Sequence, residues 1–207
     1  MTIQVVFILL ILTTIVSIYG FSNKRLMEQY TYSPYHVKYH HEYSRVVVHM
    51  FLHADAIHLM FNMFTLYFLG DLLERQFILH WGIGAGSIHF FILYFFGGIF
   101  ATFLPYKRNH ENMNYRALGA SGAVSAVVFA AILWNPTMQL SLMFIPIPIP
   151  AYMFGPLYLL AEYYADRKGN TGIAHDAHIG GAIFGIIYVL FINIDKGKEL
   201  LHLIFHF

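Results

Sequence analysis

Apolar residues run along this chain in long blocks, separated by short breaks that carry charge, proline or polar clusters. The blocks fall at about residues 3–21, 55–73, 84–104, 119–134, 150–164 and 175–194. At about 1.5 Å of rise per residue, the first block alone spans a hydrocarbon core of roughly 30 Å. Only helices and closed barrels satisfy the backbone inside lipid, and blocks of this length suit helices and not strands of about ten residues. The pattern predicts an all-α polytopic membrane protein, a six-helix transmembrane bundle.

Three stretches fall outside the blocks. In FIPIPIP, 144–150, alternating prolines remove backbone donors and disfavour the α conformation before each ring, which predicts an extended apolar connection near the membrane surface. Pro150 then opens the fifth span. Residues 22–54 form the longest polar region, expected to be functional or partly structured. The tail, 195–207, has the pattern of an interfacial amphipathic helix. No composition shift and no internal repeat divides the chain, so residues 1–207 are expected to form one domain with its core at about 45–194.

Composition sharpens this picture. Charged residues make up 11% of the chain and hydrophobic ones 58%, where a soluble domain carries about a quarter charged. The net charge of +1 points to no polyanionic partner, so nucleic acid is not expected. There is no cysteine, which excludes disulfides and thiolate metal sites. The first block lacks a basic leading region and a small-x-small cleavage site, so it is read as a retained helix and not a signal peptide.

Ionisable and polar groups inside a membrane are costly and point to function. Three clusters stand out: His49, His53, His58 and Asn62 entering span two; Gly119, Ala120, Ser121 and Gly122 opening span four; and His175, Asp176, Ala177 and His178 opening span six. Successive spans alternate in direction, so spans two, four and six begin on one side, and the clusters gather at one depth. A serine in the first turn of a helix lies beside N–H groups that lack intrahelical acceptors. It needs a base within hydrogen-bond reach, for which His178 or His175 is available. His58 and Asn62, four residues apart, share a helical face and can both donate to an oxyanion.

Bland readings apply to several of these residues. G-x-S-G alone also serves close helix packing, a face that Ser125, Ala126 and Ala130 continue. Gly181 and Gly185 read first as a packing pair. His36, His40, His41, His110 and His206 read as solvated, and His89 as a helix–helix hydrogen bond.

Taken jointly, the pattern resembles the rhomboid family of intramembrane proteases. The matching residues are His49, His53, His58 and Asn62; Gly119, Ser121 and Gly122; Ala177, His178, Gly181 and Gly185; and Gly70 with Glu74 at the end of span two. The resemblance implies a serine endopeptidase that cleaves transmembrane segments within the bilayer, without cofactor or metal. It implies Ser121 as nucleophile, His178 as base, and the Ser121 N–H with His58 and Asn62 as oxyanion donors. Gly119 would admit the substrate backbone, and Gly181 and Gly185 would seat span six on span four. The family works with a dyad and no third carboxylate, and Asp176, two residues before His178, points elsewhere.

Two positions depart from the family. The tyrosine whose ring stacks on the catalytic histidine in many bacterial members is replaced by Ser125, so another group, such as a nearby aromatic, must orient His178. Arg45 is kept, but the tryptophan often before it is Ser44. Orientation is contested: Lys24, Arg25, Lys38, Arg45, Lys107, Arg108, Arg116, Arg167 and Lys168 lie on the site's side, against Arg75, Lys196 and Lys198 opposite. The positive-inside tendency places the site inside, whereas the family topology places it on the outer face, and the family reading is preferred. A bare six-span core suggests a bacterial inner membrane. The alternatives are an inactive rhomboid-like binder of membrane clients, or a metal-binding or transport protein using the thirteen histidines, among them His49/His53 and His175/His178 at helical ligand spacing.

Overall fold

A computed structural model of the chain describes residues 4–142, 145–169 and 172–205. Among the described residues, four helical segments are long and apolar enough to cross a membrane: Val5–Ser22, Ala56–Trp81, Ile83–Asn109 and His175–Ile192. We number the helices α1 (Val5–Ser22), α2 (Lys24–Tyr30), α3 (Pro34–His40), α4 (Ser44–Val48), α5 (Ala56–Thr65) and α6 (Asp71–Trp81). They continue with α7 (Ile83–Ala101), α8 (Phe103–Asn109), α9 (Ser121–Trp134), α10 (Ala151–Lys168), α11 (His175–Ile192) and α12 (Asp195–Phe205). The chain is an all-α polytopic membrane bundle.

The helices expected as spans four and five depart from the expectation in opposite ways. At 14 residues, α9 is too short for a full crossing, and it is buried on nearly every side, with Gly122 to Val127 and Phe129 to Trp134 all enclosed. A helix wrapped by its neighbours need not match the thickness of lipid. Its partner α10 has 18 residues, but Glu162, Asp166, Arg167 and Lys168 make it polar, and Pro156 lies inside it.

Lipid takes the place of water on the outer surface. Along α1, Ile8, Ile11, Ile15 and Ile18 recur at helical spacing and are exposed, while Val6, Leu9, Thr13, Ser17 and Gly20 pack inward. On α11, Ile183, Ile187 and Phe191 form a similar outward row. Apolar residues on both faces are the mark of a helix between a core and lipid.

The second long segment is continuous from α5 to α6 through a π-helical turn at Leu66–Gly70. Gly70 there lies against Val6, and one turn on, the Glu74 carboxylate accepts hydrogen bonds from the backbone N–H groups of Val5 and Val6, both at 2.8 Å. Those are orphan donors at the start of α1, so Glu74 caps a helix distant in sequence. The Ser87 hydroxyl donates to the same carboxylate at 2.7 Å. Gly70 and Glu74 thus tie the first two spans together.

Residues 22–54 fold into short helices, not an open loop. Asn23 and Ser33 cap α2 and α3 through their side chains. Buried Arg45 donates to the carbonyls of Glu28 and Thr31, each at 2.7 Å, and pairs with Glu42. The extended reading of 144–150 holds where it is described: β2 (Ile145–Pro150) pairs antiparallel with β1 (Gln139–Leu142), a strand the apolar pattern did not announce. Phe144 and His206 lie outside the described residues. The tail forms α12, which meets α9 and α11, and Lys196 sits over the Trp134 ring.

Candidate active site

The site forms where α5, α9, α10 and α11 begin or end on one side of the bundle. Ser121 is the first residue of α9, and His178 lies in the first turn of α11. These two helices share the most extensive contact in the molecule. The cause is glycine: a methyl placed on Gly181 would stand 2.0 Å from the Gly122 carbonyl oxygen, and one on Gly185 would stand 2.2 Å from that of Ala126. Side chains at those positions would force the helices apart.

Gly119 precedes the helix with φ of +118°, a conformation that side chains resist. Its Cα faces the His58 imidazole, and a methyl there would meet His58 Cε1 at 2.6 Å. His58 is thereby held against the turn that delivers Ser121. The N–H groups of Ser121, Gly122 and Ala123 precede the first intrahelical bond, from Val124 N–H to the Ala120 carbonyl at 2.8 Å. Such N–H groups have no acceptor within their own helix. Asn62 is buried one turn after His58, and one N–H of its Nδ2 donates to the His58 carbonyl at 3.0 Å.

His49 and His53 lie before the helix that carries His58, although the His53 and His58 rings are 4.9 Å apart. His49 lies in a 3-10 turn, and His53 in the irregular stretch before α5. Helical ligand spacing is therefore not realised for this pair. His49 Nδ1 donates to the Arg45 carbonyl at 2.8 Å, while its ring contacts Tyr32. His53 Nε2 accepts from the Ala120 N–H at 3.3 Å, which places its proton on Nδ1, 2.9 Å from Ser17 Oγ. The Ser17 hydroxyl passes the chain on to the Phe51 carbonyl at 2.9 Å. Through this relay, α1 steadies the turn before the serine. Burial pushes the His49 pKa down to about 4, and burial with the neighbouring His58 pushes His53 down to about 3, so both stay neutral.

A small cavity borders Ser121 and Gly122, lined also by Tyr32, His49, Ala174 and Ala177. Its volume of about 20 Å³ holds roughly one water. Asp176 turns away from it: its carboxylate accepts from Tyr115 at 3.2 Å and from the Ala177 N–H at 2.9 Å. His89, as expected, pairs across helices, its Nδ1 2.8 Å from the Tyr188 hydroxyl.

One residue at the site escaped the sequence reading. Glu162 of α10 lies 3.1 Å from His178 Nδ1 and 2.6 Å from His175 Nδ1. Its side chain is 12% exposed. The signal was present, since a carboxylate within an apolar span is a functional candidate by default. Among the described residues, Glu162, His175 and His178 are also the group whose ligating atoms, within 4.8 Å of one another, suit a metal ion.

Comparison with known proteins bears on family and location. The Rhomboid domain model matches residues 40–194. RHOMBOID-like protein 12, mitochondrial, of Arabidopsis thaliana is 30% identical over 74% of this chain and 47% of its own length. The human Presenilin-associated rhomboid-like protein, mitochondrial, is 28% identical over 79% of this chain and 42% of its own. A mitochondrial rhomboid protein of Schizosaccharomyces pombe is 35% identical over 44% of this chain and 23% of its own. The chain spans just under half the length of the first two.

These likenesses overturn the expectation of a bacterial inner membrane, because the relatives are named as mitochondrial proteins. That expectation rested on where the chain begins and ends, which carries no information on location. The assignment of the site to a bacterial outer face falls with it. On the match over residues 40–194, with the glycine-seated serine and histidine helices inside it, the chain belongs to the rhomboid family.

Proposed function

We propose that this protein is an intramembrane serine endopeptidase of a mitochondrial membrane, cleaving transmembrane segments with Ser121 and His178. The observation that carries the reading is the Gly122–Gly181 contact, which brings the start of α9 against the first turns of α11. His178 Nε2 takes the Ser121 proton as Oγ bonds to the scissile carbonyl carbon, and the carbonyl π electrons move to oxygen. The N–H groups opening α9, with His58, stabilise that oxyanion. As the oxyanion collapses, the C–N bond breaks and the Nε2 proton passes to the leaving amine. Water then attacks the acyl-Ser121 ester, giving its proton to Nε2, and the released serine recovers that proton.

The substrate class is a transmembrane helix, which must unwind at its end to present a scissile carbonyl to Ser121. A fluorophosphonate probe tests the reading. Purified protein should label at Ser121, and labelling should vanish in Ser121→Ala and His178→Ala. Folded wild-type protein that never labels and never cleaves a model transmembrane substrate would move the inactive-binder reading to the front. A metal-binding reading has the Glu162, His175 and His178 group on its side, and stoichiometric zinc in purified protein would favour it.

A further inference from the structure

The dyad expected from the family has no carboxylate partner, and the stacking tyrosine is here Ser125. Yet the His178 ring is not left to rotate. Glu162, reaching from α10, takes both imidazoles of the first α11 turn on its two oxygens, His175 on Oε2 and His178 on Oε1. An ionised carboxylate only accepts hydrogen bonds, so each Nδ1 must carry the proton. A neutral imidazole protonated at Nδ1 has its lone pair at Nε2, the atom a serine hydroxyl requires. The Tyr158 hydroxyl, one turn before Glu162, approaches the same carboxylate and also Ser125. Tyr158 of α10 therefore reaches Ser125, the position where the family's tyrosine is missing.

We infer that Glu162 is a positioning residue for His178: it holds the Nδ1–H tautomer, aims Nε2 at Ser121, and stabilises the imidazolium formed during attack. The inference rests on the protease reading. The Nδ1 proton stays in place throughout, and the protons that travel pass through Nε2: that of Ser121 to the leaving amine, then that of water back to Ser121. Glu162 remains ionised at every step. It occupies a position in the chemistry for which the dyad makes no provision.

Glutamine cannot reproduce this arrangement. Its amide has one acceptor oxygen for two Nδ1–H donors, so either His175 or His178 meets an N–H group and must change tautomer or turn away. Aspartate keeps the charge on a shorter stem. The groups around His178 are Glu162 from α10, His175 on its own helix and His58 from α5, with Tyr158 behind Glu162.

The experiment measures the rate of fluorophosphonate labelling at Ser121 at neutral pH in wild type, Glu162→Gln and Glu162→Asp. Glu162→Gln should lower the rate on the order of a hundred-fold. Glu162→Asp should recover part of the rate. A Gln variant with wild-type rate overturns the inference while leaving the protease reading intact; a wild type that never labels overturns both. If the variants do not fold, imidazole nitrogen NMR of the unaltered protein decides. The resonance lost in His178→Ala should carry its proton on Nδ1 at neutral pH, and a proton on Nε2 refutes the proposal.

Discussion

Gly181 of α11 lies on Gly122 of α9 so closely that an added methyl would stand 2.0 Å from the Gly122 carbonyl oxygen. The obstacle is backbone in the first turn of α9 and cannot move as a side-chain tip would. Gly181→Ala should therefore cost at least about 3 kcal/mol of stability, at the upper end of overpacking effects. It should also abolish Ser121 labelling by lifting His178 away. Gly84→Ala, where an added methyl meets nothing within 4 Å, is the matched control and should leave both properties unchanged. Thermal unfolding and labelling in detergent check the pair.

Two histidines of the first α11 turn reach one carboxylate, so choosing the base requires substitution at each. His178→Ala should label at background level. His175→Ala should still label, at a reduced rate, because Glu162 loses one of its two imidazole partners but keeps His178. The reverse outcome would make His175 the base. The readout is probe incorporation at Ser121, with Ser121→Ala as the blank.

Glu74 is fully buried and accepts from two backbone donors that open α1 and from Ser87. Its removal strands those donors in a site without water. Glu74→Ala should destabilise the protein by about 2–4 kcal/mol, in line with the loss of several buried charge-assisted bonds. Circular dichroism melts in micelles would detect it. An unchanged midpoint would show that α1 is held by lipid and apolar packing alone.

Acid should loosen the protein before it denatures the carboxylate network. His49 titrates at about 4 when folded and His53 at about 3, both below the usual 6.5, chiefly through burial. Between those values the unfolded chain binds more protons than the folded one, so stability rises with pH across this window. The contribution is complete above pH 6.5 and is lost as pH falls toward 4, on the order of 3 kcal/mol for His49. Unfolding midpoints at pH 7.5, 6 and 5 should fall in that order, and the slope should shrink in His49→Gln.

Much of this was legible from the chain alone. The apolar blocks announced the membrane helices, because lipid admits no other element of that length. The parity of the spans brought the clusters around His58, Ser121 and His178 to one side without any knowledge of packing. The glycines at 181 and 185 signalled a close helix contact because lipid offers no other drive for helices to meet. Chain pattern could not show how each helix is turned about its own axis, nor which side chains meet across a gap. Only the tertiary structure decided that His53 holds the Ala120 N–H, that Asn62 turns back to its own helix, and that Glu162 faces His178. Those pairings join residues 16 to 67 positions apart or depend on rotamer choice, and they arise from ångström-scale helix rotation that hydropathy does not encode.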